Sequence, residues 1–443
     1  MTDLRAAVQA VLPGIRRDLE DLIRIQSVSA DPARAGDVLR CAHKVSDLFS
    51  AEGFSTEVVT AGGGPAVIGR KAGPEGAPTV LLYAHHDVQP ENDPADWDSP
   101  PWEPTERGDR LYARGAADDK AGIATHLAAV RILGDDLPVN LTLFIEGEEE
   151  MGSETLPALL AAHKEKLRAD VIIIADSGNW DIGVPALTTS LRGLVRMDVE
   201  VRTLSHAVHS GMWGGLVPDA VMTLSRLISS LHDDAGNVAI AGLRSGPAAD
   251  VDYPEERLRA ESGATPDVQW IGEGSTVERL WTKPALSITG FDAPKVAGAS
   301  NTLVPMARAR ISLRTSPFDT GQNAAACLQA HLESHVPWGA TLATTIVDIG
   351  EATAIDATGP AYDVARGAFT EAWDGVAPVD MGVGGSIPFI AEFLDAFPEA
   401  SVLVTGVEDP DTRAHGANEG LHLPEFERVL LAETLLLARL GAR

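Results

Sequence analysis

Cysteine is almost absent from this sequence: Cys41 and Cys327 stand far apart and in no motif. That excludes a disulfide framework and a cysteine-ligated metal, and leaves two reduced, buried thiols as the expectation. No stretch reaches the roughly 20 consecutive apolar residues of a membrane-spanning helix, so no membrane partner is expected. The segment from Met1 to Arg24 lacks the basic start, apolar run and small-residue cleavage site of a secretory signal, which points to a cytoplasmic protein. Basic residues are also few, 35 Lys and Arg against 64 Asp and Glu, for a net charge of −29. Such a surface repels nucleic acid and anionic membranes, and as a solvated acidic shell it says nothing more about function. No Lys-Ser or Lys-Thr follows Gly62–Gly64, so these glycines form a turn and not a phosphate loop.

With 443 residues, 44% of them hydrophobic, the chain exceeds the roughly 250–300 residues at which a single core stops growing, and two domains are expected. Leu4, Val8, Leu12, Ile15, Leu19, Leu22 and Ile23 follow helical spacing. Short apolar runs at 79–84, 141–145 and 171–175 read as buried strands, and 120–133 reads as a helix. This is the alternation of an α/β domain, in which ligands bind beyond the carboxyl ends of the strands. From Leu191 the order becomes strand 194–202, helix 217–231, strands 286–291 and 307–314, helix 322–331 and strand 342–347, the sequence of a ferredoxin-like unit. Alternation then resumes with helix 361–373, strand 400–405 and helix 424–440. The fold expected is an α/β catalytic domain with a central mixed sheet, residues 1–190 and 355–443, interrupted by a ferredoxin-like α+β domain at 191–354. Residues 232–283, rich in Gly, Pro and Asp, read as an elaborated loop of that insertion.

Four strand ends and one late loop carry metal-ligand residue types: His85-His86-Asp87, Asp118-Asp119-Lys120, Glu148-Glu149-Glu150, Asp176 and His415. Imidazole with carboxylate suits zinc, manganese or cobalt. Residues two apart in an extended segment share a face, so His85 can bind metal while Asp87 orients its second nitrogen, and His86 points away. A carboxylate with both oxygens free can bridge two ions about 3.5–4 Å apart, and Asp118 is the candidate bridge. Adjacent glutamates can divide labour, Glu150 as ligand and Glu149 as proton acceptor. Three carboxylates against two divalent ions leave about +1, which a hydroxide neutralises. Asp119 reads as a loop-holding residue, His206 as surface and His126 as a helix-face residue.

The phrases YAHHDVQP (83–90), ARGAADDK (113–120), EGEEEMGS (146–153), HSG (209–211), GGSIP (384–388) and AHGANE (414–419) resemble, in this order, the metallopeptidases that include cytosolic nonspecific dipeptidase, carnosine dipeptidase, succinyl-diaminopimelate desuccinylase and glutamate carboxypeptidase. The resemblance covers nearly the whole chain and lies nearest the dipeptidases. It implies one ion on His85, Asp118 and Asp176, a second on Asp118, Glu150 and His415, and zinc as the first choice of metal. It further implies Glu149 as general base, Asp87 as orienting carboxylate, and a cis peptide between Asp118 and Asp119. His209 matches a histidine of the inserted domain that contacts the scissile carbonyl and in dimeric members serves the neighbouring subunit, so a homodimer is implied. Arg314 with Gly385-Ser386 would hold the substrate carboxylate. Two departures stand out: the stretch from Pro305 to Arg314 is one residue short, and Gly382-Val383 replace an Arg-Glu pair.

The function expected is hydrolysis of a dipeptide or small peptide by a metal-bound hydroxide, with Glu149 as base and His209 stabilising the oxyanion. Deacylation of an N-acyl amino acid is the alternative on the same machinery. A non-catalytic metal-binding protein is the alternative of another class, opposed by the presence of Glu149 and His209, which metal binding alone does not need. Phosphoester hydrolysis lacks the basic cluster it requires.

Overall fold

The computed structural model describes residues 3–247, 251–385 and 388–441. The chain forms two compact units, one of residues 1–189, 355–381 and 388–443, the other of 190–354 and 382–387. The sequence placed residues 382–385 in the final catalytic segment; here they belong with the insertion.

The first unit is built on a mixed sheet with strand order Ser55–Val59, Ala66–Lys71, Asn140–Glu146, Thr79–His85, Val171–Ile174, Ser401–Val404 and Ala186–Leu191. The strands 140–146, 79–85, 171–174 and 401–404 run parallel. Parallel strands are covered on both faces, which explains why they read as unbroken apolar runs such as VIII at 171–174, all buried. Helices Leu4–Ile23, Lys120–Leu133, Pro360–Ala372 and Leu423–Leu440 pack on one another. The helix at 120–133 is buried around almost its whole circumference, and its many alanines let neighbours approach closely. Among the described residues no helix is long and apolar enough to cross a membrane.

The second unit carries a four-stranded antiparallel sheet in the order Ala285–Asp292, Met306–Thr315, Gly193–Arg202, Thr341–Gly350. Val195, Met197, Val199 and Val201 alternate onto one face and share a core with Ala307, Ala309, Ile311 and Leu313, covered by helices Ala220–Ser229 and Gly321–His335. The first of these helices starts later than its apolar spacing suggested, because Asp219 caps it by accepting from the Met222 amide at 2.8 Å. The segment 232–283 holds more regular structure than its composition implied, including helix Glu255–Ser262 and a π-helical turn at Glu278–Thr282.

Candidate metal centre

The parallel strands end on the predicted residues. His85 closes strand 79–85, Asp176 lies just beyond strand 171–174, and Glu149 and Glu150 form a tight turn after strand 140–146. Asp118 precedes helix 120–133, the Asp118–Asp119 peptide is cis, and His415 sits at φ 62° in the loop after strand 401–404. Asp118 faces two ways: Oδ1 is 3.1 Å from His85 Nε2 and Oδ2 is 3.0 Å from His415 Nε2. Asp176 Oδ1 lies 3.8 Å from His85 Nε2, and Glu150 Oε2 lies 3.1 Å from His415 Nε2. Two donor groups result, His85–Asp118–Asp176 and Asp118–Glu150–His415, each with ligand atoms within 4.8 Å of one another. An ion with bonds of about 2.1 Å gathers such a set with small side-chain movements. Imidazole nitrogens and carboxylate oxygens without sulfur are the donors of a zinc- or manganese-type ion.

The surrounding bonds hold this geometry. Asp87, fully buried, meets His85 Nδ1 with its backbone carbonyl at 3.0 Å and its carboxylate at 3.3 Å, and its two carboxylate oxygens accept from the backbone amides of Glu149 and Glu150, each at 3.2 Å. One residue therefore orients an imidazole and fixes the turn of both glutamates. Glu149 brings a carboxylate oxygen to 4.0 Å from His85 Nε2. Glu148 turns away to accept from the amides of Gly64 and Thr155 at 2.7 and 2.6 Å. Asp119 Oδ2 accepts from the His85 amide at 3.1 Å, so it anchors the end of the neighbouring strand. His86 reaches the Pro65 carbonyl at 2.8 Å. His126 is buried inside the fold and not displayed on a helix face, with ring nitrogens 2.7 Å from Glu433 and 2.9 Å from the Tyr83 carbonyl. His206 is exposed.

Two residues of this support escaped the sequence reading. Gln89 binds both oxygens of Glu150, through its amide at 3.0 Å and its side chain at 2.7 Å. Glu419, fully buried, accepts from the amides of Ala117 and Asp118 on one oxygen, at 2.9 and 3.1 Å, and from Gly115 and Arg114 on the other, at 3.0 and 2.6 Å. Both stand inside phrases that carried the family resemblance, which was the available signal.

Crowded acids shape the electrostatics. Burial, with Asp118 adding to it, pushes the Asp176 carboxyl up to about 7. Burial and then Asp176 raise Glu149 well above the usual carboxylate range. Hydrogen bonds to Asp118 and then Glu150 lift the His415 imidazole to about 11. A pocket that raises the proton affinity of so many groups at once is one that favours cations.

The remaining predicted residues lie in the second unit. His209 is exposed, and its Nδ1 accepts from the Gly211 amide at 3.0 Å. Arg314 is half-buried on strand 306–315, and Gly385 belongs to the same unit. Ser386 lies outside the described residues.

Paired carboxylate–imidazole groups sharing one aspartate, set at the carboxyl ends of a mixed sheet, are the equipment of a metal-dependent hydrolase. Residues 81–439 match Peptidase family M20/M25/M40, and the chain belongs to that family of metallopeptidases. It is 34% identical over 436 residues to the cysteinylglycine-S-conjugate dipeptidase of Corynebacterium striatum, covering 96% of this chain and 95% of that one. It is 29% identical to the Cys-Gly metallodipeptidase dug1 of Schizosaccharomyces pombe, over 92% of this chain and 91% of that one. Among solved structures, the di-peptidase Dug1p of Saccharomyces cerevisiae superposes with a TM-score of 0.78 at 25% identity, covering 100% of this chain and 98% of that one.

Proposed function

We propose that this metallopeptidase cleaves dipeptides, Cys-Gly and its S-conjugates foremost, at a centre of two divalent ions, zinc first among them. The observation that carries the reading is Asp118, whose two oxygens face His85 on one side and His415 on the other. When bound, the ions polarise a carbonyl and acidify water. His85, Asp118 and Asp176 hold one, and Asp118, Glu150 and His415 the other. Glu149, its backbone pinned by Asp87, takes the proton of the attacking water and returns it to the leaving amine. The Gly211 amide occupies His209 Nδ1, so the neutral ring carries its proton on Nε2, the form that donates to an oxyanion. Arg314, Gly385 and Ser386 receive the substrate carboxylate. His209 serving the active site of a second copy would make a homodimer the working form. The names of these two relatives, a cysteinylglycine-S-conjugate dipeptidase and a Cys-Gly metallodipeptidase, favour peptides over N-acyl amino acids.

Metal-depleted protein, resupplied with zinc or manganese, should be assayed on Cys-Gly, β-Ala-His, and N-acetyl and N-succinyl amino acids. Metal-dependent cleavage with the dipeptides at least tenfold faster is the expected result. N-acyl amino acids cleaved faster than every dipeptide would overturn the substrate assignment.

A further inference from the structure

Arg192 is a buried cation of the second unit that is poorly paired among the described residues. It stands just ahead of strand 193–202 at 9% exposure. Among the described residues its Nε has no partner, and its side chain makes one hydrogen bond, a long 3.4 Å contact from Nη1 to the Arg279 carbonyl. Among the described residues no carboxylate pairs with it. Burial, with Arg314 adding to it, pushes the guanidinium down to about 10. A guanidinium carries five donors, and leaving a buried one this poorly paired is costly unless an anion arrives from outside.

Its neighbours are suited to such an anion. Among the described residues no carboxylate pairs with Arg314 either, and strand register sets it opposite Leu194, two residues beyond Arg192. The Arg192 amide donates to the Val383 carbonyl at 3.1 Å, which ties the residue to the loop at 382–385. A Cβ on Gly384 would lie 2.9 Å from Arg192 Nη2, so glycine is what allows the loop backbone to rest against the guanidinium. Beside Gly385 the space is open, with nothing within 4 Å of an added Cβ.

We infer that Arg192 joins Arg314 and the Gly384-Gly385 backbone in a two-guanidinium subsite for the C-terminal carboxylate of the substrate. The inference rests on the peptidase reading for its ligand and assigns Arg192 to substrate selection. A structural arginine would stabilise the free protein, whereas a subsite arginine is carried at some cost to stability.

The experiment compares wild type, R192M and R192K on Ala-Gly and Ala-Gly amide, with melting temperature and metal content measured alongside. Wild type should prefer the free acid. In R192M the preference should fall by about 10–100-fold, the worth of a charge-assisted hydrogen bond, mainly through KM, with metal content kept and the melting temperature equal or higher. R192K should keep part of the preference and decides the matter if R192M fails to fold. An unchanged acid-to-amide ratio, or equal slowing of both substrates with a fallen melting temperature, overturns the assignment. If wild type cleaves neither peptide, the peptidase reading fails by itself. Calorimetric binding of the acid over the amide, lost in R192M, then still supports the subsite, and equal binding refutes it.

Discussion

Glu419→Gln is the substitution that most directly probes how the metal loop is held. The carboxylate meets four donors, two on each oxygen, and ties Arg114, Gly115, Ala117 and Asp118 together. Burial raises its proton affinity, but both oxygens face donors only, so a carboxyl proton would have no acceptor. Glutamine keeps one accepting oxygen and turns an NH2 toward the other pair. If the NH2 faces Arg114, a guanidinium 1% exposed loses its counter-charge, at about 3–5 kcal/mol. If it faces Ala117 and Asp118, two buried amides go unpaired at about 1–3 kcal/mol each. The first rotamer predicts a loss of about 3–5 kcal/mol and the second about 2–6 kcal/mol, read as a lowered denaturant midpoint for the first unit in metal-depleted protein. Zinc affinity should fall as well, since the backbone that presents Asp118 loses its anchor. A loss below about 1 kcal/mol with unchanged zinc affinity would refute the reasoning, because it would mean the four bonds carry no net stability.

Asp118→Asn should strip or scramble both ions, whereas Asp176→Asn should mainly remove one; elemental analysis giving equal small losses for both would rule out Asp118 as the shared ligand. Glu149→Gln should keep both metals while kcat drops by at least about 10², and Glu150→Gln should lose metal and regain activity when more is supplied; the reverse pattern means the two roles are exchanged. Asp198, held at about 2 by its hydrogen bond to Arg310 and then by Arg308, titrates below its unfolded value of about 3.9. Its contribution is therefore present above about pH 4 and lost as pH falls toward 2. Both arginines are over 40% exposed, so screening limits the contribution to about 1 kcal/mol. Asp198→Asn should trail wild type by that amount near pH 6 and match it near pH 2, and a gap that does not change with pH would sink the assignment.

The sequence revealed what local pattern encodes. Buried parallel strands appear as unbroken apolar runs, and at 79–85 and 171–174 such a run leads directly to His85 or to Asp176. Helix 120–133 was legible because its small apolar residues persist for its whole length. Partners chosen across long separations were not legible. Nothing near Gln89 announces that it holds Glu150, and nothing near Glu419 announces that it organises residues 114–118. Residues 382–385 read as part of the final catalytic segment because they follow helix 360–372 in the chain, yet they belong with the inserted unit. Arg192 gave no signal at all, since a missing partner is visible only once every candidate partner has been placed.

The centre is also ordered in time by its order in the chain. His85, Asp118, Glu150 and Asp176 all precede the inserted unit, while His415 and Glu419 follow it. During synthesis one complete donor group, His85–Asp118–Asp176, emerges early, but the loop that carries its shared aspartate still lacks the Glu419 anchor. The second group must wait for His415, and the buried His126 must wait for Glu433 on the last helix. A chain cut short before His415 would present the early carboxylates without the imidazole and the Glu419 anchor that make them a paired arrangement, so the second donor group depends on the segment that follows the inserted unit.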